Sequence, residues 1–194
     1  MKFLKQFEAW ATEINQLLNK FNINISEEEI TTYWQEPHRG YHSINHLDKL
    51  LDDIKKLNLE KSMREKLILV ALFHDIIYRP ERNDNEEKSD EFFLSKCDNI
   101  NDDIREVSEA ILATKTHTSN SKLSEIFNYL DMKIVESDYD ELLNWELGIQ
   151  KEYLAVYSKE DYKKGRIQFL KSLLQKYPNN SDNLKKLILF VRTN

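Results

Sequence analysis

At 194 residues the chain is long enough to bury a core of its own and fits one domain. Only three glycines and three prolines interrupt a sequence rich in Leu, Ile, Lys and Glu, a composition that favours helix over strand. A formal net charge of −6 with no strong basic block argues against nucleic acid as a partner, and the single cysteine, Cys97, excludes an internal disulfide.

The opening stretch MKFLKQFEAW carries charges where a signal peptide needs an apolar core. The longest apolar run falls far short of the ~20 residues of a membrane helix. A cytoplasmic protein with no membrane partner is expected; oligomeric state leaves no mark in the sequence.

Phe3, Phe7, Ile14, Leu17, Leu18 and Phe21 fall near helical spacing with charges between them, which predicts an amphipathic first helix. Ser26 followed by Glu29 has the capping-box pattern and opens a second helix, ended by Pro37. Gly40 permits a sharp turn before a third helix carrying Ile44, Leu47, Leu50, Leu51, Ile54 and Leu57. Ser62 with Glu65 repeats the capping-box pattern and opens a fourth helix that runs through LILVALFHDIIY, Leu67 to Tyr78, and stops at Pro80. The polar segment RPERNDNEE reads as a loop.

A fifth helix from about Asn85 to Cys97 turns Phe92, Phe93 and Leu94 inward. Asn101 caps a sixth, with Ile104, Val107, Ile111 and Leu112 on its apolar side. After a polar loop, TKTHTSNSK, a seventh carries Leu123, Ile126, Phe127, Leu130 and Ile134. Asp138 with Glu141 caps an eighth that holds Leu142, Trp145, Ile149, Tyr153 and Val156. A ninth covers Tyr162 to Tyr177 and stops at Pro178, and Ser181 caps the last, with Leu184, Leu187, Ile188 and Val191. No period-two stretch, repeat or dividing linker interrupts this series. The expectation is an all-α, single-domain helical bundle over residues 1–194.

The fourth helix is apolar all round, which marks a buried helix. His74 and Asp75 at its end are therefore expected inside the protein. An ionised carboxylate buried there costs several kcal/mol unless it is paired or bound to a metal. A cation held by both side chains answers that cost and calls for further ligands. Five histidines are available: His38, His42, His46, His74 and His117. His42 and His46, four apart, lie on one face of the third helix, one turn from each other, so that one binds a metal and the other reaches whatever the metal holds.

Asp131 sits among Phe127, Leu130 and Ile134 on an inward face. Alone it reads as a salt bridge or cap; beside a buried His-Asp pair it reads as a ligand. His117, in a polar loop, is either solvent-exposed or in contact with a phosphate or a second metal. Glu86 and Glu87 are either a solvated first helical turn or within reach of a metal's water. Arg39 and Lys115 are the cations to test for phosphate binding. Cys97 reads as a half-buried helix residue.

The order H…HD…D on an all-helical chain resembles the HD-domain superfamily of metal-dependent phosphohydrolases. The resemblance makes His46 the first histidine, His74-Asp75 the pair and Asp131 the last aspartate. The stretch Tyr41-His42-Ser43-Ile44-Asn45-His46 resembles the YHNxxH motif of cyclic-nucleotide phosphodiesterases, with Ser43 where that motif has asparagine. That likeness implies His42 as the general acid and His46 as a ligand. RGYHSINHL, ALFHDIIYRPERNDNEEKS, AILATKTH, YLDMKI and KEYLAVYSKEDYKKGRIQFLKSLL are similar to a small bacterial group of predicted HD phosphohydrolases, over a core of about residues 39–174.

The resemblance implies a hydrolase of a phosphate ester or anhydride, a nucleotide or other small phosphorylated metabolite. It implies a divalent ion (Mn, Mg, Fe, Zn, Co or Ni) on His46, His74, Asp75 and Asp131. His42 and Glu86 are the expected catalytic groups, and Arg39, Lys115 and His117 the expected substrate contacts. HD proteins with two firmly held metals place two more histidines between the pair and the last aspartate. With only His117 there, one tightly held metal is expected, and a second that is weak or absent. The rival expectation is a nucleotide-binding sensor that keeps the pocket without turnover.

Overall fold

The computed structural model describes residues 4–194, with side chains from Trp10 onward. Phe3 and the side chain of Phe7 lie outside the described residues. The chain is all-α. Among the described residues the only pairing of β type is one isolated bridge between Ile23 and Cys97. Contacts group the chain into two compact units. One holds the described residues up to Glu36 together with His42–Asp131; the other holds Pro37–Tyr41 and Met132–Asn194.

The first unit contains α1 (Leu4–Lys20), α2 (Glu27–Trp34), α3 (Ile44–Lys56), α4 (Lys61–Phe73), α5 (Asn85–Lys96), α6 (Asp102–Ala113) and α7 (Lys122–Asp131). Its centre is α4. Leu67, Ile68, Leu69, Val70, Ala71, Leu72 and Phe73 are all buried, because α3, α5, α6 and α7 each pack against this helix. At about 1.5–3 kcal/mol for each large side chain removed from water, that stretch anchors the unit.

Around it lie Trp10, Ile14, Leu17 and Leu18 of α1, Leu47, Leu51 and Ile54 of α3, and Phe93, Ile111 and Phe127. Two caps follow the sequence pattern. Ser26 Oγ accepts from the Glu29 N–H at 3.1 Å, and Asn101 Oδ1 from the Ile104 N–H at 3.0 Å.

The second unit contains a 3₁₀ turn (Met132–Glu136), α8 (Tyr139–Tyr153), α9 (Lys159–Lys176) and α10 (Ser181–Thr193) around Leu142, Trp145, Ile149, Leu170, Leu184, Leu187 and Val191. Asp138 caps α8 through the Glu141 N–H at 3.0 Å. The segment 37–41 lies against α8. A Cβ on Gly40 would meet the Gly148 carbonyl oxygen at 2.2 Å, so only glycine allows this approach. Fully buried Glu152 accepts from the Gly40 and Tyr41 N–H groups, both at 2.7 Å. Fully buried Glu146 takes Arg166 Nε at 2.8 Å and the Tyr162 hydroxyl, so its charge is paired and hydrogen-bonded.

Several boundaries differ from expectation. α4 starts at Lys61 with Glu60 as its cap residue, so Ser62 is already helical and caps nothing; Glu65 pairs with Lys20 at 2.5 Å instead. The same helix ends at Phe73, well before Pro80. α3 begins at Ile44, which leaves His42 in the bend before it rather than on the helix.

Ser181 is the first residue of α10, and its cap position is Asn180. α7 stops at Asp131, so Ile134 belongs to the 3₁₀ turn. Leu112 and Val156, expected inward, are exposed, and α8 ends before Val156. Ser158, which the sequence reading passed over, caps α9 through the Asp161 N–H at 3.1 Å.

Cys97 follows α5, half-buried, with Sγ donating to the Phe93 carbonyl at 3.3 Å. Burial, then Asp98 and Asp90, push its thiol up to about 11. Thiolate is the reactive form, so alkylation by iodoacetamide at pH 8 is expected to run roughly 100-fold slower than for free cysteine. The rate should keep climbing about tenfold per pH unit beyond pH 9. A plateau near pH 9 would contradict this placement.

Candidate metal centre

α3, α4 and α7 each deliver one side chain to the same point in the first unit. His46 lies in the first turn of α3, on the stripe that continues as Leu47, Leu50, Leu51 and Ile54 and is held against α4 and α7. His74 is the C-cap residue of α4, and Asp131 is the last residue of α7. Ligand atoms of His46, His74 and Asp131 all lie within 4.8 Å of one another. Asp131 Oδ1 is 3.1 Å from His46 Nε2 and 3.7 Å from His74 Nε2. Asp75 Oδ2 is 3.2 Å from His74 Nε2.

The orientation of His74 is set from behind. Its Nδ1–H donates to the Ala71 carbonyl at 3.1 Å, which turns Nε2 toward the two carboxylates. Nε2 is buried without a well-aligned hydrogen bond. Set against carboxylate oxygens, Nε2 calls for a positive charge, either a proton on the ring or a bound cation. Burial works to lower the His74 imidazole, but Asp75 and Asp131 outweigh it and hold it raised, to about 9.

Burial would raise both carboxyl groups. The His74 charge nevertheless holds Asp75 well below the usual range, and hydrogen bonds from His117 and His46 do the same for Asp131. His46 is lowered by burial against the pull of Asp131.

A divalent cation fits this donor set. Ions with bonds of ~2.1 Å to imidazole nitrogen and carboxylate oxygen keep neighbouring donors ~3.0–3.5 Å apart, near the 3.1 and 3.7 Å that separate Asp131 Oδ1 from the two histidines. Imidazole plus carboxylate suits Zn, Mn, Fe, Co and Ni. The walls are aromatic. The Trp34 and Phe127 rings stand 5.5 and 5.0 Å from that of His74, and Trp34 Nε1–H donates to the Leu72 carbonyl at 3.0 Å, satisfying an end carbonyl of α4.

The other expected site residues fall as follows. His42 is half-buried, its ring 6.2 Å from that of His46 and stacked on Tyr78 at 4.3 Å. His117 Nε2 lies 3.1 Å from Asp131 Oδ2, so this histidine joins the cluster from the polar loop. It does so in a left-handed conformation, φ 50°, that a non-glycine residue adopts at some cost. The loop is pinned beside it. Ser124 Oγ accepts from the Asn120 and Ser121 N–H groups at 3.2 and 3.1 Å, and Asn128 Nδ2 donates to Ser119 Oγ at 3.2 Å.

Glu86, in the first turn of α5, is half-buried, and burial together with the charge of Asp75 raises its carboxyl. Lys115 Nζ is engaged by Glu87 and by the Asn83 carbonyl at 2.7 Å. Arg39 is a buried residue of the second unit, where its carbonyl accepts from Lys151 Nζ at 3.4 Å.

Trp34 and Tyr78 stand beside the cluster without a signal in the sequence, because an aromatic side chain reads as core; Phe127, expected beside Asp131, also packs against His74. Comparison with protein-family models, with curated proteins and with solved structures gave no match for this chain.

Proposed function

We propose that the chain is a metal-dependent phosphohydrolase of the HD type, acting on a phosphate ester or anhydride of a nucleotide or other small phosphorylated metabolite. The observation that carries this reading is the convergence of His46, His74 and Asp131 in one largely buried cluster, with Asp75 3.2 Å from His74. His46, His74, Asp75 and Asp131 would hold one divalent ion. An ion there would supply Lewis-acid polarisation of a phosphoryl oxygen and would bring the pKa of water down toward about 7.

The side chains do the rest. Nδ1 anchoring on Ala71 keeps His74 in one tautomer, as ligating histidines require. His117 holds Asp131 Oδ2, which leaves Oδ1 turned toward His46 and His74. His42, beside the cluster but outside its ligand set, hands a proton to the leaving oxygen. Glu86 or Asp131 accepts the proton of the attacking water. Trp34 and Phe127 keep bulk water off His74, which strengthens every charge interaction in the pocket.

The test is phosphate release from a panel of nucleotides and simple phosphate esters with Mn²⁺, Mg²⁺, Co²⁺ or Fe²⁺. Turnover of at least one compound that is abolished by EDTA is expected. Nucleotide binding without turnover across the panel would contradict hydrolysis and favour a sensor.

A further inference from the structure

His42 lies in the bend before α3, outside the helix itself. Its ring is nonetheless stacked at 4.3 Å and 29° on Tyr78, a ring only 5% exposed. Tyr78 follows the His74-Asp75 pair after two isoleucines, past the end of α4. A free loop would be a poor platform, but this one is strapped on both sides of Tyr78. Ser89 Oγ takes the Ile77 N–H and donates to the Ile77 carbonyl, both at 3.2 Å. Asn85 Oδ1 takes the Arg79 N–H, and Asn85 Nδ2 donates to the Arg79 carbonyl, both at 2.9 Å.

Asn85 and Ser89 are one turn apart on α5 and buried. Their four hydrogen bonds replace those that a continued helix would have supplied to residues 77 and 79. Arg79 closes the strap by donating from Nη1 to the Tyr78 carbonyl at 3.0 Å and from Nη2 to Glu36 at 2.8 Å.

We propose that Tyr78 is a positioning residue that holds the His42 ring at the angle from which it delivers its proton, with Asn85 and Ser89 of α5 fixing Tyr78 in turn. Stacking of two flat rings restricts rotation about the His42 side-chain bonds and sets the plane in which both ring nitrogens lie. The phenol oxygen is not needed for this; the ring is. The part of His42 in the chemistry rests on the hydrolase reading above, whereas the stacking that holds it does not.

Two measurements on the full chain separate these claims. The first is the NMR spectrum of the histidine rings, with His42 assigned from its loss in His42→Ala. In the wild type and in Tyr78→Phe the His42 ring protons are expected upfield, shielded by the neighbouring ring, and in Tyr78→Leu they return toward the free-histidine position. His42 resonances that do not move in Tyr78→Leu overturn the proposal, whether or not any ester is hydrolysed.

The second is turnover of phenyl phosphate and 4-nitrophenyl phosphate by the Mn²⁺-loaded protein. Phenolate, with a conjugate acid near ~10, needs a proton far more than nitrophenolate does. Tyr78→Leu is expected to lower kcat on phenyl phosphate by ~10-fold or more, with a smaller loss on the nitro compound and KM unchanged. Tyr78→Phe is expected to retain wild-type values. An equal loss on both esters, or a change confined to KM, overturns the positioning role. Failure of the wild type on both esters and across the wider panel would remove the hydrolase reading and the proton-delivery role with it, while the histidine spectrum still decides the stacking.

Discussion

His42→Ala is expected to lower turnover of the substrate ester by ~10²–10⁴ while leaving metal content at the wild-type value. The two halves of this result come from one piece of geometry. His42 stands beside His46, rings 6.2 Å apart, but the close donor set is His46, His74 and Asp131. Removing the His42 imidazole therefore takes away a proton donor and no ligand. The loss should grow with the basicity of the leaving group. Loss of the ion in His42→Ala would mean that the roles of His42 and His46 are exchanged.

Asp131→Ala is expected to abolish stabilisation by the ion. Asp131 is the hub of the cluster, its two oxygens each 3.1 Å from a histidine, His46 on one side and His117 on the other. Without it, His46, His74 and His117 are left without the anion that draws them together. Loss of groups that only support a ligand costs 10–100-fold in affinity, so a ligand at the hub should cost more.

An ion at about 100 times its Kd stabilises a folded protein by about 2.7 kcal/mol, which for a chain of this size raises Tm by ~5–10 °C. Saturating Mn²⁺ should produce that rise in the wild type and none in Asp131→Ala. Asp131→Asn, which keeps the shape, should behave as the alanine variant does, so that a folding defect in one does not decide the matter. An equal rise in wild type and variants would place the ion elsewhere.

Much of the helical order could be read from spacing and caps, since each rests on local physics. The stripe Ile14, Leu17, Leu18 and the caps at Ser26, Asn101 and Asp138 need only neighbouring residues to act, and all are present. The misplaced boundaries have non-local causes. α4 stops at Phe73 because side chains of α5 satisfy the backbone of Ile77 and Arg79, and nothing between Leu67 and Pro80 announces that. Ser62 caps nothing because α4 already starts at Lys61, and Glu65 pairs with Lys20 on a different helix.

The site divides the same way. His46, His74 and Asp131 were legible because polar groups on otherwise apolar stripes must find one another. His117 was legible only as an alternative, solvent on one side and a phosphate or second metal on the other, since a polar loop ordinarily faces water; its place beside Asp131 was not. A left-handed turn and the anchors Ser124 and Asn128 bring it to Asp131. Tyr78 and Trp34 were hidden by their own hydrophobicity.

The most direct measurement is elemental analysis of the full chain purified without added metal, run beside Asp131→Ala. About one equivalent of a divalent transition metal per wild-type chain is expected, and almost none in the variant. A wild-type protein that carries no such ion, and takes none up on dialysis against Mn²⁺ or Zn²⁺, would contradict the metal centre and the hydrolase built on it.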